Sequence, residues 1–510
     1  CVILKFKKME ASVQEKYDFI VIGAGVIGCM IARWLSRYEG RVLVIEKEAD
    51  VGMGTTAANT SIVHAGYDPV PGSLKARMNV KGNAMWDQLK AELNFAFVRS
   101  GDYVVAIGKE ELPALDTLMV QGKKNGVPGM IMISGEEMRA REKNINPNVS
   151  GALWASTGGI CDCFQVNVAA GENAAMNGAE FKFDTAFEDF IMEGDRIIGI
   201  KTNRGDFLSR WVVNAAGLYS DVVMHKAGVR PEFKIQPRKG EYFVFDRADI
   251  QIDNVLFPVP SDAGKGIMVT NTVHGNTIIG PNAQIIDDKE DTATTIPGMD
   301  EIWQGAQKLV PILDRRHVIA TFAGLRAMGN GPCKTPGVNY NKDYIIEIPE
   351  NVRGFVNLGG IESPGLAASP AIAEEVIDLL KDAGEDLREK KDWEPIRPAR
   401  PRFRDMSHKD RQLLVEMDSH FGRVICRCEN VTEGEILAEI HAPIPATTYD
   451  AIKRRTWLGT GRCQGGFDMP RVVAILAREL GVSPLEITKR GHNSQYLVRK
   501  TKESEAANDN

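Results

Sequence analysis

Three glycines and one carboxylate carry the plainest chemistry in this chain. Gly23-Ala24-Gly25-Val26-Ile27-Gly28 lies between a short apolar run, Asp18–Ile22, and a helical stretch, Cys29–Arg37. A second apolar run, Val42–Ile45, ends in Glu46. Gly23 permits a tight turn and Gly25 lets the backbone approach a pyrophosphate. Gly28 lets the helix pack closely on the strand, so the helix N-terminus offers free N–H groups and positive dipole to phosphates. Glu46, about 20 residues on, is placed to accept hydrogen bonds from a ribose. Strand, glycine turn, helix, strand, acid is the order an adenine-dinucleotide site needs. Glycines serving helix packing alone would leave Glu46 unexplained.

The elements that must position these residues belong to a long chain. Its 510 residues suffice for two to four domains and a sizeable core. The net charge of −6 argues against a general nucleic-acid binder, since no basic excess exists to neutralise phosphates. No apolar run approaches the length of a membrane span. The opening CVILKF is too short for a signal-peptide core, and Met9 reads as the natural start. Eight cysteines do not make a disulfide scaffold, which points to a cytoplasmic protein with reduced thiols. Three of them, Cys426, Cys428 and Cys463, fall in the last fifth of the chain.

Beyond the nucleotide unit, the stretch 51–67 is rich in small and hydroxyl residues and can pass close to a cofactor; Thr55 and Asn59 within it, and Lys47 before it, are candidate contacts. Helical spacing runs over 74–93, 110–125 (ended by Gly126) and 166–177. Strands are expected at 101–107, 152–154, 181–183, 196–202 and 210–217, and a β-rich region at 238–281. Helix returns at 300–309, strand at 354–358 and helix at 371–380. The chain thus leaves the nucleotide fold and returns to it more than once. Residues 381–411 are charged and poor in apolar side chains, and read as a linker. The tail 503–510 is polar and reads as disordered.

VVNAAGLYSD (212–221) and LGGIESPGLAASPAIAEEV (358–376) resemble the second and third flavin-contacting segments of the D-amino-acid-oxidase superfamily. That resemblance implies FAD, with Ala216 and Gly217 near its adenine–ribose half. Gly360, Gly365 and Leu366 would lie beneath the isoalloxazine at a helix N-terminus, whose N–H groups can stabilise negative charge on a reduced flavin. It also implies the architecture: α/β, a Rossmann-like FAD-binding domain interleaved with a β-rich substrate-binding domain, plus a small helical C-terminal domain. The expected boundaries are 17–390 for the oxidoreductase (substrate parts near 95–150 and 225–325), 391–420 for a linker, 421–482 for the small domain and 483–510 for a tail.

Within the superfamily the chain is similar to the anaerobic type of FAD-dependent glycerol-3-phosphate dehydrogenase, large subunit, through NTSIVHAGYDPVPGSLKARMNV, QPRKGEYFVFD, IIGPNAQIIDDKEDTATT and FAGLRA. L-2-hydroxyglutarate oxidases share the HAG…PGSLKA and GEY signatures. Both branches oxidise a secondary alcohol beside an anionic group, which calls for a base and for cations. By this resemblance His64 is the candidate base or hydroxyl-orienting group, and Arg326 the anion clamp. Lys75, Arg238, Lys239 and Tyr242 form a second tier of substrate contacts, and His274 reads as a hairpin residue. Glycerol 3-phosphate stands ahead of a 2-hydroxy acid. An amine or imino-acid substrate, and a flavoprotein subunit without catalysis of its own, stay open.

Cys426-Arg-Cys428 and Cys463-Gln-Gly-Gly-Phe-Asp468 resemble the small [2Fe–2S] domain related to bacterioferritin-associated ferredoxin. Four thiolates are the usual requirement. This chain keeps three and has Asp468 where the fourth is expected. A Cys3Asp cluster, a domain that has lost its cluster, and a different metal such as zinc all stay open. Cys161-Asp162-Cys163 reads as structural. A cluster would imply an electron-transfer partner subunit, onward transfer to quinone or another carrier, and a peripheral membrane contact through that partner.

Overall fold

The computed structural model describes residues 15–260 and 266–502; the expectations about Met9 and about the tail 503–510 fall outside them. The first sheet grows from strand Lys16–Ile22, which pairs in parallel with Val42–Ile45 on one side and with the long strand Gly205–Asn214 on the other. The C-terminal half of that long strand pairs in parallel with Phe355–Gly359, while its N-terminal half pairs antiparallel with Arg196–Thr202. The central strands carry almost no exposed side chain, as helices on their faces require. Helix Val26–Leu35 packs between helix Cys163–Met176 and helix Gly365–Asp382, and the Trp86 indole, wholly buried, donates to Ala367 O at 3.0 Å.

This topology decides where a ligand can sit. The turns after Ile22, Ile45, Asn214 and Gly359 all leave the carboxyl ends of parallel strands, so they gather along one edge. In open parallel sheets that edge is the binding crevice.

The second sheet is mainly antiparallel and crosses over this edge. Its longest pairing joins Ile235–Phe245 to Val318–Gly329. Strand Asp102–Ile107 and its partners Val149–Ala155 and Leu256–Pro258 extend it. The segments that build it come from two separate stretches of sequence, so the two sheets are interleaved along the chain.

Several expectations need correction. The helix over 74–93 is two helices, Leu74–Ala84 and Trp86–Leu93, meeting at Met85. The closing helix begins at Gly365 rather than Ala371 and carries Pro370 in its interior; the Leu366 carbonyl that an N–H at 370 would have met accepts the Ser369 hydroxyl at 2.9 Å instead. The strand expected over 210–217 ends at Asn214.

Residues 391–420 are not a free linker. Arg397 and Arg400 reach the buried Glu172 carboxylate at 2.6 and 2.8 Å, and helix His408–Met417 follows. The C-terminal domain is mainly helical, as expected: helices Glu433–Ile440, Tyr449–Thr456 and Met469–Leu480 follow a short two-stranded ribbon, Val424–Cys426 with Val431–Thr432. Beyond them Ile487 packs into this domain's core and Lys489 pairs with Asp450 at 2.6 Å, so part of the expected tail is integral to the domain. Among the described residues no helix is long and apolar enough to cross a membrane.

Candidate functional site

A cavity of about 1770 Å³ runs along the crevice between the two sheets. At its nucleotide end the glycine turn behaves as its spacing implies. Gly23 has φ +101°, and a Cβ there would come 2.7 Å from Ala215 O. A Cβ on Gly28 would overlap Gly23 O at 1.9 Å, so Gly28 serves helix packing and does not line the cavity, whereas Gly23 and Gly25 do. Glu46 also lines it. Its carboxylate accepts the Ala24 N–H at 2.7 Å and the Glu48 N–H at 3.1 Å, and burial still holds its pKa above the usual carboxylate range.

Lys47, Thr55, Asn59, Ala216 and Gly217 are all on the wall. Thr56, a neighbour that sequence reasoning did not single out, accepts the Val26 N–H at 3.0 Å and so occupies one of the free donors of the helix end. On the far side Gly365 and Leu366 open helix Gly365–Asp382 towards the cavity; Gly360 does not line it. A long, apolar-walled crevice with a glycine turn at one end and a helix N-terminus at the other fits an extended dinucleotide such as FAD.

At the other end the second sheet supplies the charge. Arg238 and Arg326 are directly opposed across the antiparallel pair Ile235–Phe245 and Val318–Gly329, and both line the cavity. Like charges placed opposite one another cost stability unless an anion answers them. Backbone oxygens hold the Arg326 fork: Asn282 O at 2.8 Å and Arg238 O at 3.3 Å. Burial holds the Arg326 pKa below the ordinary arginine range, Tyr242 pulling it back up and Arg238 pressing it further down.

Strand parity sorts the neighbours. Tyr242, stacked on Phe322 with centroids 4.5 Å apart, faces the cavity with Arg238, and burial pushes its hydroxyl up to about 12. Lys239 points the other way, to Asp291 at 2.9 Å, which removes it from the substrate contacts.

Lys75 lines the cavity with its ammonium 2.9 Å from Glu362. Glu362 was not anticipated. Burial alone would raise its pKa, but Lys75, with help from Arg326 and Arg238, holds it below the usual range. The available signal was an acid inside the small-residue run GGIESPG, since a buried carboxylate needs a partner. His64 lines the same cavity, its Nε2 3.4 Å from Ser363 Oγ. The structure therefore puts His64, Lys75, Arg238, Tyr242 and Arg326 on the wall of a single cavity.

The cysteines form a second site. Cys428 Sγ and Cys463 Sγ are 3.6 Å apart. Cys426 Sγ accepts the Gly459 N–H at 3.5 Å, and its thiol pKa is pushed up to about 12 by burial and by the neighbouring Asp468 carboxylate. Asp468 is buried, its Oδ1 taking the Tyr449 hydroxyl at 2.6 Å. Cys161 and Cys163 are buried elsewhere, around the N-terminus of helix Cys163–Met176. Between them Asp162 accepts the Trp457 indole N–H at 2.7 Å and bonds His274 Nε2 at 3.0 Å. His274 sits in the turn between two antiparallel strands, and it also ties the second sheet to the C-terminal domain.

Comparison with known proteins assigns families to two parts of the chain. The family described as "DAO: FAD dependent oxidoreductase" matches residues 18–379, and the "BFD-like [2Fe-2S] binding domain" matches residues 424–478. A glycerol 3-phosphate dehydrogenase of Caloramator mitchellensis is 44% identical over 489 residues, covering 95% of this chain and 99% of that relative. A glycerol 3-phosphate oxidase of Mycoplasma genitalium is 31% identical over 398 residues, covering 75% of this chain and 98% of its own length. Among solved structures, the dithionite-reduced L-alpha-glycerophosphate oxidase of Mycoplasma pneumoniae with FAD bound superposes with a TM-score of 0.69 at 29% identity, covering 76% of this chain and 99% of that one.

Proposed function

The chain belongs to the DAO family of FAD dependent oxidoreductases and carries a C-terminal domain of the BFD-like [2Fe-2S] binding kind, and from that premise we propose that it oxidises sn-glycerol 3-phosphate to dihydroxyacetone phosphate. One observation carries the substrate end of this reading: two guanidinium groups, Arg238 and Arg326, opposed across a strand pair on the wall of the cavity. A phosphate dianion relieves their repulsion and matches the arginine fork.

Bound FAD supplies the acceptor for the hydride that leaves C2 of the substrate. The chain's own residues do the rest. Gly23, Gly25 and Glu46 would hold the nucleotide half, and the N–H groups opening helix Gly365–Asp382 would face the cofactor from the other wall. Arg326 and Arg238 bind the phosphate, which fixes the carbinol carbon at a set distance from it. His64 takes the hydroxyl proton at Nε2, and Ser363 orients the ring. Lys75 and Glu362 neutralise each other, so they shape the site without adding net charge to it. A cluster held by the C-terminal domain would supply one-electron transfer towards a quinone or a partner carrier. That domain docks against the substrate sheet through Arg462, which pairs with Asp246 and, at 2.7 Å, with Asp249.

The test is anaerobic mixing of the flavoprotein with sn-glycerol 3-phosphate or L-2-hydroxyglutarate while the oxidised-flavin band is followed. Rapid bleaching by the phosphate ester alone is the expected result. Bleaching by the hydroxy acid alone, or by neither, would overturn the reading.

A further inference from the structure

We propose that Asp468 is a metal ligand, and that the C-terminal domain holds a [2Fe–2S] cluster on Cys426, Cys428, Cys463 and the free oxygen of Asp468. The inference rests on the family reading of that domain and goes beyond it, because the pattern there expects a fourth cysteine. Three observations carry it. First, Asp468 is 1% exposed, yet its Oδ2 is buried without a hydrogen-bond partner, while Oδ1 is fixed by the Tyr449 hydroxyl. A buried carboxylate oxygen left unsatisfied is costly, and a metal ion is one of the few partners that satisfies it fully.

Second, Cys428 and Cys463 stand as one pair, with sulfurs 3.6 Å apart, and Cys426 Sγ takes the N–H of Gly459, in the segment that leads on to Cys463 and Asp468. A diiron cluster asks for two donors at each iron.

Third, the loop that carries Cys463 is pressed against the donors with glycines. A Cβ on Gly461 would lie 2.5 Å from Cys428 Cβ, and one on Gly465 (φ +86°) would lie 2.4 Å from the Tyr449 hydroxyl. The loop could not approach this closely with larger residues.

On ligation the three thiols release their protons to solvent and the carboxylate offers its free oxygen. Three thiolates and one carboxylate carry the same total charge as four thiolates, so the substitution changes donor hardness and leaves the electrostatics of the site unchanged.

The experiment uses the full chain, purified without oxygen and reconstituted with ferrous iron and sulfide. Iron and acid-labile sulfide are counted against flavin, and the reduced protein is examined by electron paramagnetic resonance. The expected result is about two irons and two sulfides per flavin. Asp468→Ala should lose most of the iron at unchanged flavin content. Asp468→Cys should keep the iron with shifted g values and stronger thiolate-to-iron absorption. Tyr449→Phe, a milder change, should keep the iron and shift the signal slightly, which guards against a folding defect in the alanine variant. Iron uptake by Asp468→Cys but not by the natural sequence would overturn the proposal, as would Asp468→Ala with full iron and an unaltered signal, or zinc as the sole metal retained. Flavin bleaching by glycerol 3-phosphate is scored separately, so failure of the substrate reading leaves the iron count standing.

Discussion

At the nucleotide end of the cavity the chain meets its ligand with backbone, in a crevice whose position the parallel strands dictate. At the C-terminal site it offers four side chains on two loops that only tertiary packing brings together. The first arrangement tolerates change in most side chains so long as the glycines stay. The second would fail or alter with the loss of a single donor, and in the cluster proposed above one of the four donors is oxygen. Between these extremes lies the substrate end of the cavity, where strand parity selects Arg238 and Tyr242 and rejects Lys239.

The sharpest way to break the cavity while sparing the thiolate site is Arg326→Ala. Removing a desolvated, fork-shaped partner of a phosphate costs several kcal/mol, so kcat/KM for flavin reduction should fall by about 10²–10³-fold. FAD content and the iron count should not move. An unchanged substrate dependence would take Arg326 out of the site. His64→Asn comes next. If His64 holds the hydroxyl proton, stopped-flow flavin reduction at saturating substrate should slow by about 10²-fold or more, with little change in the half-saturation point.

The seam between the two regions is tested by Asp50→Ala. Asp50 follows the acid-ended strand of the nucleotide sheet and pairs, buried, with Arg455 at 2.7 Å and Arg454 at 2.8 Å of the C-terminal domain. Burial alone would raise its pKa, but the two arginines hold it below the usual range. Leaving Arg455 buried without its partner should destabilise the protein by about 3–5 kcal/mol. Limited proteolysis should then release the C-terminal domain before the flavin is lost.

How far each region could be read in the sequence follows the same division. The glycine turn, the acid after the second strand and the alternation along QPRKGEYFVFD are local patterns, and local periodicity maps directly onto a strand face or a helix end. Arg326 was legible through its motif. That it opposes Arg238 was not, because the register of two strands about 90 residues apart is set by the whole sheet. The Glu172–Arg397–Arg400 ion pairs and the Asp162–Trp457–His274 contact were hidden for the same reason. A charged, proline-bearing stretch looks like a linker until the buried carboxylate it neutralises is known.

The smallest effect separates the two regions by pH. Glu347, on the edge strand Ile345–Glu347 of the nucleotide sheet, bonds Arg230 at 2.5 and 2.7 Å and Lys334 at 2.9 Å. Burial raises its pKa, but these cations outweigh that and bring it down to about 2. A depressed carboxylate pKa stabilises the fold fully above the unfolded value near 4.5 and loses that contribution as pH falls towards 2. Glu435, in the capping box of helix Glu433–Ile440, behaves oppositely: burial holds its pKa above the usual range, so its charged form costs stability and acid relieves the cost. Glu347→Gln should therefore lower stability by about 1–3 kcal/mol at pH 7 and by less at pH 3. Glu435→Gln should lose whatever its cap contributes, with a gap that widens, not narrows, on acidification. Denaturant midpoints at the two pH values check both, with flavin fluorescence reporting one region and a tryptophan signal from Trp457 the other. Parallel pH trends for the two variants would mean that the regions share one electrostatic response, and the contrast drawn between them would fail at that point.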